Sequence, residues 1–228
     1  MSTSPRRADR LVTIVEDHLL FAEALELALG QEGYAVRRVA APDQPSAPTT
    51  LVHDVLAGEP LVVLLDLDLG GFGDASRIVE PLARAGTHVV VVTGSTDRAR
   101  WGRAVLHGAR TVLSKRGPLH DITATVRRIH LGLPVLLPDE RAELVAEWHR
   151  HRDELAGARL RLESLSARES QILAHLMKGR AVREIAGLSV VSEATVRTQV
   201  KAILAKLQVS SQLAAVGVAH EAGWQAPA

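Results

Sequence analysis

The feature that most limits the fold is a run of five apolar residues, Leu61–Leu65, followed directly by Asp66. The run is too short for a buried helix, and it suits a parallel β-strand that helices cover on both faces. A carboxylate at the mouth of a buried strand is costly unless something there uses its charge. Ligands of open α/β sheets bind outside the carboxyl ends of the strands. Asp66 and the nearby Asp68 are therefore the first candidates for a functional site.

Composition narrows the classes of protein to consider. The 228 residues include no cysteine, which excludes disulfides and thiolate metal ligands and fits a reducing cytoplasm. No apolar run approaches the ~20 residues that span a bilayer, and residues 1–10 lack the apolar segment of a signal peptide. We therefore expect a cytoplasmic protein without a membrane partner. Residues 164–228 hold seven basic and four acidic side chains, which hints at an anionic partner for that end.

Short apolar runs alternate with amphipathic segments over the first 132 residues. The predicted strands are Leu11–Val15, Tyr34–Ala40, Leu61–Leu65, His88–Val92 and Thr111–Leu113. The predicted helices are Leu19–Leu29, Leu51–Leu56, Asp74–Ala85, Arg98–His107 and Leu119–Leu131. The alternation predicts an α/β domain, residues 9–132, with a doubly wound five-stranded parallel sheet. The first helix is expected to carry its apolar face on Leu20, Ala24, Leu27 and Ala28.

Polar side chains follow four of the predicted strands, and in such a sheet they converge on one edge. They are Glu16, Asp17, Asp66, Thr93 and Lys115. Clustered carboxylates raise one another's pKa unless a cation lies between them, and Mg²⁺ is the natural hard cation for oxygen ligands. A carboxylate, a metal, a hydroxyl and an ammonium group together make a site for phosphoryl chemistry.

Four motifs make this pattern specific. Val-Glu-Asp-His-Leu-Leu-Phe (15–21), Leu-Leu-Asp-Leu-Asp (64–68), Val-Val-Thr-Gly (91–94) and Gly-Ala-Arg-Thr-Val-Leu-Ser-Lys (108–115) resemble the receiver domain of bacterial two-component response regulators. The resemblance implies that Asp66 accepts a phosphoryl group from a histidine kinase. It also implies that Glu16, Asp17 and Asp66 hold Mg²⁺ together with the backbone carbonyl of Asp68. Thr93 and Lys115 would grip the phosphoryl oxygens.

Two departures from the family pattern concern how the domain changes conformation in response to phosphorylation. Leu69-Gly70 stands where receivers commonly carry Met-Pro, and Val112 stands where they usually carry Tyr or Phe. That aromatic side chain normally swings when the Thr responds to phosphorylation. Its absence leaves the phosphorylation site intact but puts the usual readout in doubt.

A segment with two prolines predicts a linker over residues 133–163, in which Asp139 can cap a helix that runs to about Ser164. Seven of its side chains recur at alternating spacings of four and three residues, as along the seam of a coiled coil. They are Leu144, Trp148, His151, Leu155, Ala158, Leu162 and Leu165. Two interpretations stay open: a coiled coil between two copies of the chain, or a helix packed on the chain's own domains. In the coiled coil, Glu147 would pair with Arg152, and Glu154 with Arg159.

Residues 164–224 predict a small all-α domain. A short helix at Arg183–Gly187, a turn at Leu188–Val191 and a longer helix at Glu193–Leu207 form a helix-turn-helix pattern. Leu-Ser-Ala-Arg-Glu (165–169), Glu-Ile-Ala (184–186) and Ser-Glu-Ala-Thr-Val-Arg (192–197) resemble the LuxR-type DNA-binding domain. The resemblance implies a dimer contact on the last helix, residues 211–222.

The same resemblance assigns the DNA contacts. It implies that Arg197, Thr198 and Lys201 approach base edges or phosphates, with Thr195 and Gln199 on the DNA backbone. Ser189 departs from the family, which usually buries Leu there, and we expect Leu188 to compensate.

Together the resemblances describe a NarL/FixJ-type response regulator. We expect a homodimeric transcription factor that binds promoter DNA, is switched by Asp66 phosphorylation with Mg²⁺, and is not an enzyme beyond slow self-dephosphorylation. Two alternatives stay open. One is a phosphorylation-independent regulator with an atypical receiver, which Val112 supports. The other is a phosphohydrolase of the haloacid dehalogenase class, which Asp66, Thr93 and Lys115 also resemble, although the acidic pair of that class does not follow Lys115.

Overall fold

The computed structural model describes residues 11–42 and 47–226. The chain divides into two compact units, with the division between His149 and Arg150. The segment considered for a signal peptide, the first residues of the 9–132 domain, and residues 43–46 of the predicted loop at Ala41–Thr50 lie outside the described residues.

The first unit is built on a parallel sheet with the strand order β2-β1-β3-β6-β7. Its strands are β1 (Leu11–Val15), β2 (Ala35–Val39), β3 (Val62–Leu65), β6 (His88–Thr93) and β7 (Thr111–Ser114). The helices of this unit are α1 (Leu19–Gln31), α2 (Pro48–Leu56), α3 (Ser76–Arg84), α4 (Arg98–Leu106) and α5 (Leu119–His130). The predicted five-stranded α/β fold is confirmed.

The central strand β3 is buried on both faces. Val63 and Leu65 pack into one apolar core with α3 and α4, whereas Val62 and Leu64 pack into a second core with α1 and α5. All four side chains are at most 2% exposed. The two cores explain why β3 is continuously apolar rather than alternating, as the sequence predicted.

Two local expectations for this unit were wrong. Leu20 is 82% and Leu27 is 65% exposed, because α1 buries the opposite face, which carries Ala22, Leu25 and Leu29. This helix has apolar residues on all of its faces, so the sequence pattern did not identify the face that packs on the core. The second difference is that α3 begins at Ser76 rather than at the predicted Asp74, because Asp74 belongs to an antiparallel hairpin of β4 (Asp68–Leu69) and β5 (Gly73–Asp74).

The linker is one helix, α6 (Pro138–Glu163), which contributes to the apolar cores of both units. Leu144 is 3% exposed and belongs to a core of the first unit. Leu162 is 1% exposed, belongs to the core of the second unit and has Leu165 beside it. These seam positions are thus packed within the chain, which favours the amphipathic-helix interpretation over a coiled coil.

The second unit is helical throughout its described part. After the end of α6 it contains α7 (Ala167–Met177), α8 (Val182–Ser189), α9 (Glu193–Leu207) and α10 (Gln212–Glu221). Helix α9 buries the predicted stripe of Val196, Val200, Ile203 and Leu207. The expectation that Leu188 compensates for Ser189 was wrong, because Leu188 is 60% exposed.

No single helix within residues 11–42 and 47–226 is long and apolar enough to cross a membrane. The bent pair α9 and α10 passes the test by length and composition alone.

Candidate functional site

The predicted polar residues stand at the carboxyl edge of the sheet because their strands are parallel and in register. Leu65 at the end of β3 pairs with Val15 of β1 and with Val91 of β6. Glu16, Asp17 and Asp66 therefore leave neighbouring strands at the same level. Beyond β7, the backbone N–H of Lys115 donates to the carbonyl oxygen of Thr93 at 2.9 Å, which joins the last two residues of the set.

An ammonium group lies between two buried carboxylates. The Nζ atom of Lys115 is 2.7 Å from Oδ2 of Asp66 and 2.6 Å from Oε2 of Glu16. The two acidic side chains are 2% and 3% exposed, and the lysine side chain is 15% exposed. The ring of Phe21 covers the ammonium group, with its centroid 5.3 Å from Nζ. Two buried carboxylates thus share one positive charge, which leaves the three side chains with a net negative charge.

The pKa values of Asp66 and Lys115 are set by burial and by the ion pairs that Lys115 forms with the two carboxylates. Burial raises the pKa of Asp66, and the hydrogen bond from Lys115 only partly offsets the effect. Burial acts to lower the pKa of Lys115, but its hydrogen bonds to Asp66 and Glu16 outweigh burial and raise it. The lysine therefore stays charged, while Asp66 has less than its usual preference for the charged form.

The acidic residues fit a hard cation by their chemistry. Glu16, Asp17 and Asp66 can each direct one oxygen atom, and His18 one ring nitrogen, so that all four atoms lie within 4.8 Å of one another. Carboxylate oxygens are the ligands that Mg²⁺ prefers. Asp17 is the most accessible of the three carboxylates, with its side chain 33% exposed. The predicted carboxylates come together as expected, and His18 is an addition that the sequence argument missed.

The side chains of two further predicted residues, Thr93 and Asp68, have partners other than the acidic cluster. The hydroxyl of Thr93 is buried and accepts a hydrogen bond from the backbone N–H of Ser95 at 3.1 Å. The backbone N–H of Asp68 donates to Oδ1 of Asp66 at 3.2 Å. The side chain of Asp68 instead forms an ion pair of 2.8 Å with Arg100 of α4.

Two arginines of α4, Arg100 and Arg103, lie beside the site and were missed by the sequence argument. Arg100 lies 3.5 Å from Asp74 in addition to its pair with Asp68, and Arg103 lies 3.3 Å from the other oxygen of Asp74. Hydrogen bonds from Ser76 and these arginines outweigh burial and lower the pKa of Asp74. Arg100 and Asp68 are 32 positions apart, so no local motif indicates the pair.

In the second unit, the helix-turn-helix presents the outer face of α9. Ser192 caps the helix by accepting a hydrogen bond from the backbone N–H of Thr195. Arg197, Thr198 and Lys201 are exposed along this face, and Gln199 is half-buried. Four of the five predicted DNA-contacting side chains are therefore accessible on one helix.

Glu193 changes the electrostatic character of this face and was absent from the sequence prediction. Its carboxylate lies 3.2 Å from the guanidinium of Arg197, one turn further along α9. The pair orients an otherwise free arginine at the start of the helix that enters the major groove in this motif.

Comparison with known proteins matches each of the two units to a protein family. The family model described as "Response regulator receiver domain" matches residues 12–127. The model described as "Bacterial regulatory proteins, luxR family" matches residues 163–219.

Curated relatives align over nearly the whole chain. The "Glycerol metabolism activator" of Pseudomonas putida is 29% identical over 209 residues, which cover 90% of this chain and 92% of the relative. The "Probable transcriptional regulatory protein NarL" of Mycobacterium tuberculosis is 28% identical over 219 residues, which cover 95% and 96%.

Among solved structures, RcsB from Salmonella enterica serovar Typhimurium, bound to promoter P1flhDC in the presence of phosphomimetic BeF3-, aligns with a TM-score of 0.50 and 20% identity. The alignment covers 92% of this chain and 98% of that one, and at this identity it supports the fold alone.

Proposed function

Because this chain belongs to the response regulator family and is a transcriptional regulator with receiver and LuxR-type DNA-binding domains, we propose that phosphorylation of Asp66 controls its binding to DNA. The observation that carries the proposal is the buried Asp66 carboxylate, 2.7 Å from the Lys115 ammonium within an acidic cluster. Family membership also favours a regulator over the phosphohydrolase alternative.

The phosphoryl donor is a phosphohistidine of a cognate kinase. A carboxylate oxygen of Asp66 attacks the phosphorus atom, so that a P–O bond forms while the P–N bond breaks and the imidazole leaves. Lys115 already points at this carboxylate and can follow a phosphoryl oxygen. The hydroxyl of Thr93 would reach the phosphoryl group once it has left the backbone N–H of Ser95, its present donor.

Glu16, Asp17 and Asp66 would hold Mg²⁺, together with the backbone carbonyl of Asp68. When bound, Mg²⁺ neutralises charge that builds up on the transferred group. Hydrogen bonds to a charged group are worth about 1.5–3 kcal/mol each. Two such bonds, from Thr93 and Lys115, contribute to the roughly 5.5 kcal/mol that inverts a 1:99 equilibrium only by the amount that they exceed the bonds both groups already make.

Asp66→Ala is expected to abolish acceptance of a phosphoryl group. The measurement is intact mass after incubation with a small-molecule phosphodonor and Mg²⁺, and wild type should gain one group that the variant lacks. Asp68→Ala is the matched control, because its exposed carboxylate faces Arg100 and should not be needed. A mass gain that persists in Asp66→Ala and disappears in Asp68→Ala would reassign the acceptor.

We further propose that α9 binds double-stranded promoter DNA through Arg197, Thr198 and Lys201, with Thr195 and Gln199 on the DNA backbone. The exposed cationic face of a capped second helix supports this assignment. The protein would act as a homodimer through α10, whose Leu213 is 82% exposed. The cytoplasmic location expected from the sequence belongs to the same proposal.

Arg197→Ala and Lys201→Ala should weaken DNA binding in different ways. A residue that reads a base changes discrimination at that base pair by about 1–3 kcal/mol. A residue that contacts phosphate weakens binding to all sequences and lowers the salt slope by about 0.9. Titrations at several salt concentrations separate the two roles. Arg152→Ala is the control, because it removes the same charge from an exposed position on α6. Equal losses in all three variants would argue against contact by α9.

Val112 keeps a second function open, a regulator whose DNA binding does not respond to phosphorylation. It stands where the family usually has an aromatic residue and is 9% exposed within a core that also contains Leu144. Equal DNA affinity of the phosphorylated and unphosphorylated protein would favour this alternative.

A further inference from the structure

Helix α4 is connected to both loops that frame the phosphoacceptor. Arg100 forms its 2.8 Å ion pair with Asp68, two residues after the acceptor. The indole Nε1 of Trp101 donates a 3.1 Å hydrogen bond to the carbonyl oxygen of Ser95. The backbone N–H of Ser95 in turn donates to the hydroxyl of Thr93. A rearrangement of either loop therefore reaches adjacent residues of α4.

The first half of α6 packs on this same helix with no intervening side chain. A methyl group built on Gly102 would lie 1.9 Å from the carbonyl oxygen of Leu144 and 3.1 Å from Cβ of Trp148. Glycine is therefore required where the two helix backbones meet. Arg141 adds a 3.0 Å hydrogen bond to the carbonyl oxygen of Val105 at the end of α4.

One side chain belongs to both contacts. The guanidinium of Arg103 is 3.3 Å from Asp74 on the hairpin after the phosphoacceptor. The same group lies 5.6 Å from the ring centroid of Trp148, within cation–π distance. Arg103 thus joins the hairpin to the linker helix directly.

We propose that the contact between Gly102 and Arg103 of α4 and Leu144 and Trp148 of α6, here called the α4–α6 latch, transmits phosphorylation to the linker. The inference rests on the proposed function. When Thr93 turns to the phosphoryl group and the Asp68 backbone N–H loses its bond to the Asp66 carboxylate, Ser95 and Arg100 lose their present partners and α4 shifts. Close-packed interfaces switch between discrete arrangements rather than stretch, so the shift opens the latch.

The latch supplies the readout that the missing aromatic residue would otherwise provide. Helix α6 continues past the latch into the second unit, where Leu162 lies in the apolar core and Ala158 is buried. Release of its first half therefore alters the linker that leads to the second unit, while the second half stays packed.

Gly102→Ala tests the latch without touching the acidic site. The variant should accept a phosphoryl group as wild type does. Before phosphorylation, amide hydrogen exchange in residues 138–149 should be faster by roughly tenfold, and DNA affinity should move toward that of phosphorylated wild type. Gly30→Ala is the matched control, because a methyl group there meets nothing within 4 Å. Trp148→Ala opens the latch from the other helix and should act in the same direction.

Arg100→Gln tests the connection to the phosphoacceptor. This variant should still be phosphorylated, but exchange in residues 138–149 should respond less than in wild type. Fast exchange in Gly102→Ala and Trp148→Ala with an unchanged DNA affinity in both states would overturn the latch alone. Failure of wild type to gain a phosphoryl group would overturn the proposed function, and the latch as its readout with it.

Discussion

Lys115→Met is expected to lower the free energy of unfolding of the first unit by about 3–5 kcal/mol in the absence of divalent cations, the usual cost of leaving buried charge unpaired. The side chains of Glu16 and Asp66 are 3% and 2% exposed, and each forms an ion pair with the ammonium group of Lys115. Methionine keeps the length and apolar stem of the lysine, so the loss reports the charge rather than a cavity. Urea dependence of hydrogen exchange in β3 and β6 measures it in this two-unit chain.

The stability of Lys115→Met should depend on Mg²⁺ and on pH. Mg²⁺ should restore part of the lost stability, because it replaces the missing positive charge. The pKa of Asp66 is raised by burial, so the folded variant binds a proton at pH values where the unfolded chain has lost it. Stability of the variant should therefore rise as pH falls through this raised pKa.

Arg116→Met is the control for charge alone, because Arg116 is the exposed neighbour of Lys115. A loss below about 1 kcal/mol in Lys115→Met, similar to that in the control and insensitive to Mg²⁺, would mean that the two carboxylates are stabilised by other groups.

Lys206→Met is expected to destabilise the second unit by about 2–3 kcal/mol, less than for a fully buried pair because Lys206 is itself 39% exposed. Its Nζ atom lies 2.6 Å from a carboxylate oxygen of Glu169, whose side chain is 7% exposed. The pair joins α7 to α9, and the backbone N–H of Ser166 also donates to the carboxylate, at 2.7 Å. This second bond keeps Glu169 partly satisfied in the variant. Hydrogen exchange in α9 measures the loss.

The pH dependence has the opposite sign from that at Asp66. Burial acts to raise the pKa of Glu169, but the hydrogen bonds from Lys206 and Ser166 outweigh it and lower the pKa. A lowered carboxyl pKa contributes stability above the unfolded pKa, and that stability is lost as pH falls through the folded pKa. Wild type should therefore lose more stability in acid than Lys206→Met does.

A double variant separates the ion pair from helix capping. Glu169→Gln combined with Lys206→Met leaves no unpaired charge and should be more stable than the sum of the single losses indicates. Strict additivity of the two losses would show that the two side chains are not energetically coupled.

The sheet and its acidic edge were predictable because they depend on local patterns. A short continuous apolar run indicates a strand covered on both faces, and the carboxyl ends of parallel strands meet at one edge. Those two facts place Glu16, Asp17, Asp66 and Lys115 together without any knowledge of loops. Helix α9 was predictable for a similar reason, since its cap and its buried stripe are both local.

Other features had no local signal. In α1, apolar residues occur on every face, so the position of α5, rather than the pattern, leaves Leu20 and Leu27 exposed. Along α6, a heptad seam looks the same whether its partner is a second chain or the chain's own cores. Leu188 is 60% exposed because α8 buries another face, which carries Ile185 and Ala186.

The amino-acid pattern established the two kinds of domain, the strand-end residues and the outer face of α9, because each follows from periodicity and from residues close together in the chain. The tertiary structure decided which contacts are made. Lys115 is shared between two carboxylates, Arg100 and Arg103 bind the hairpin, and α6 packs against Gly102. These contacts join segments far apart in the chain. Their formation depends on how close two backbones approach, which no single stretch of sequence specifies.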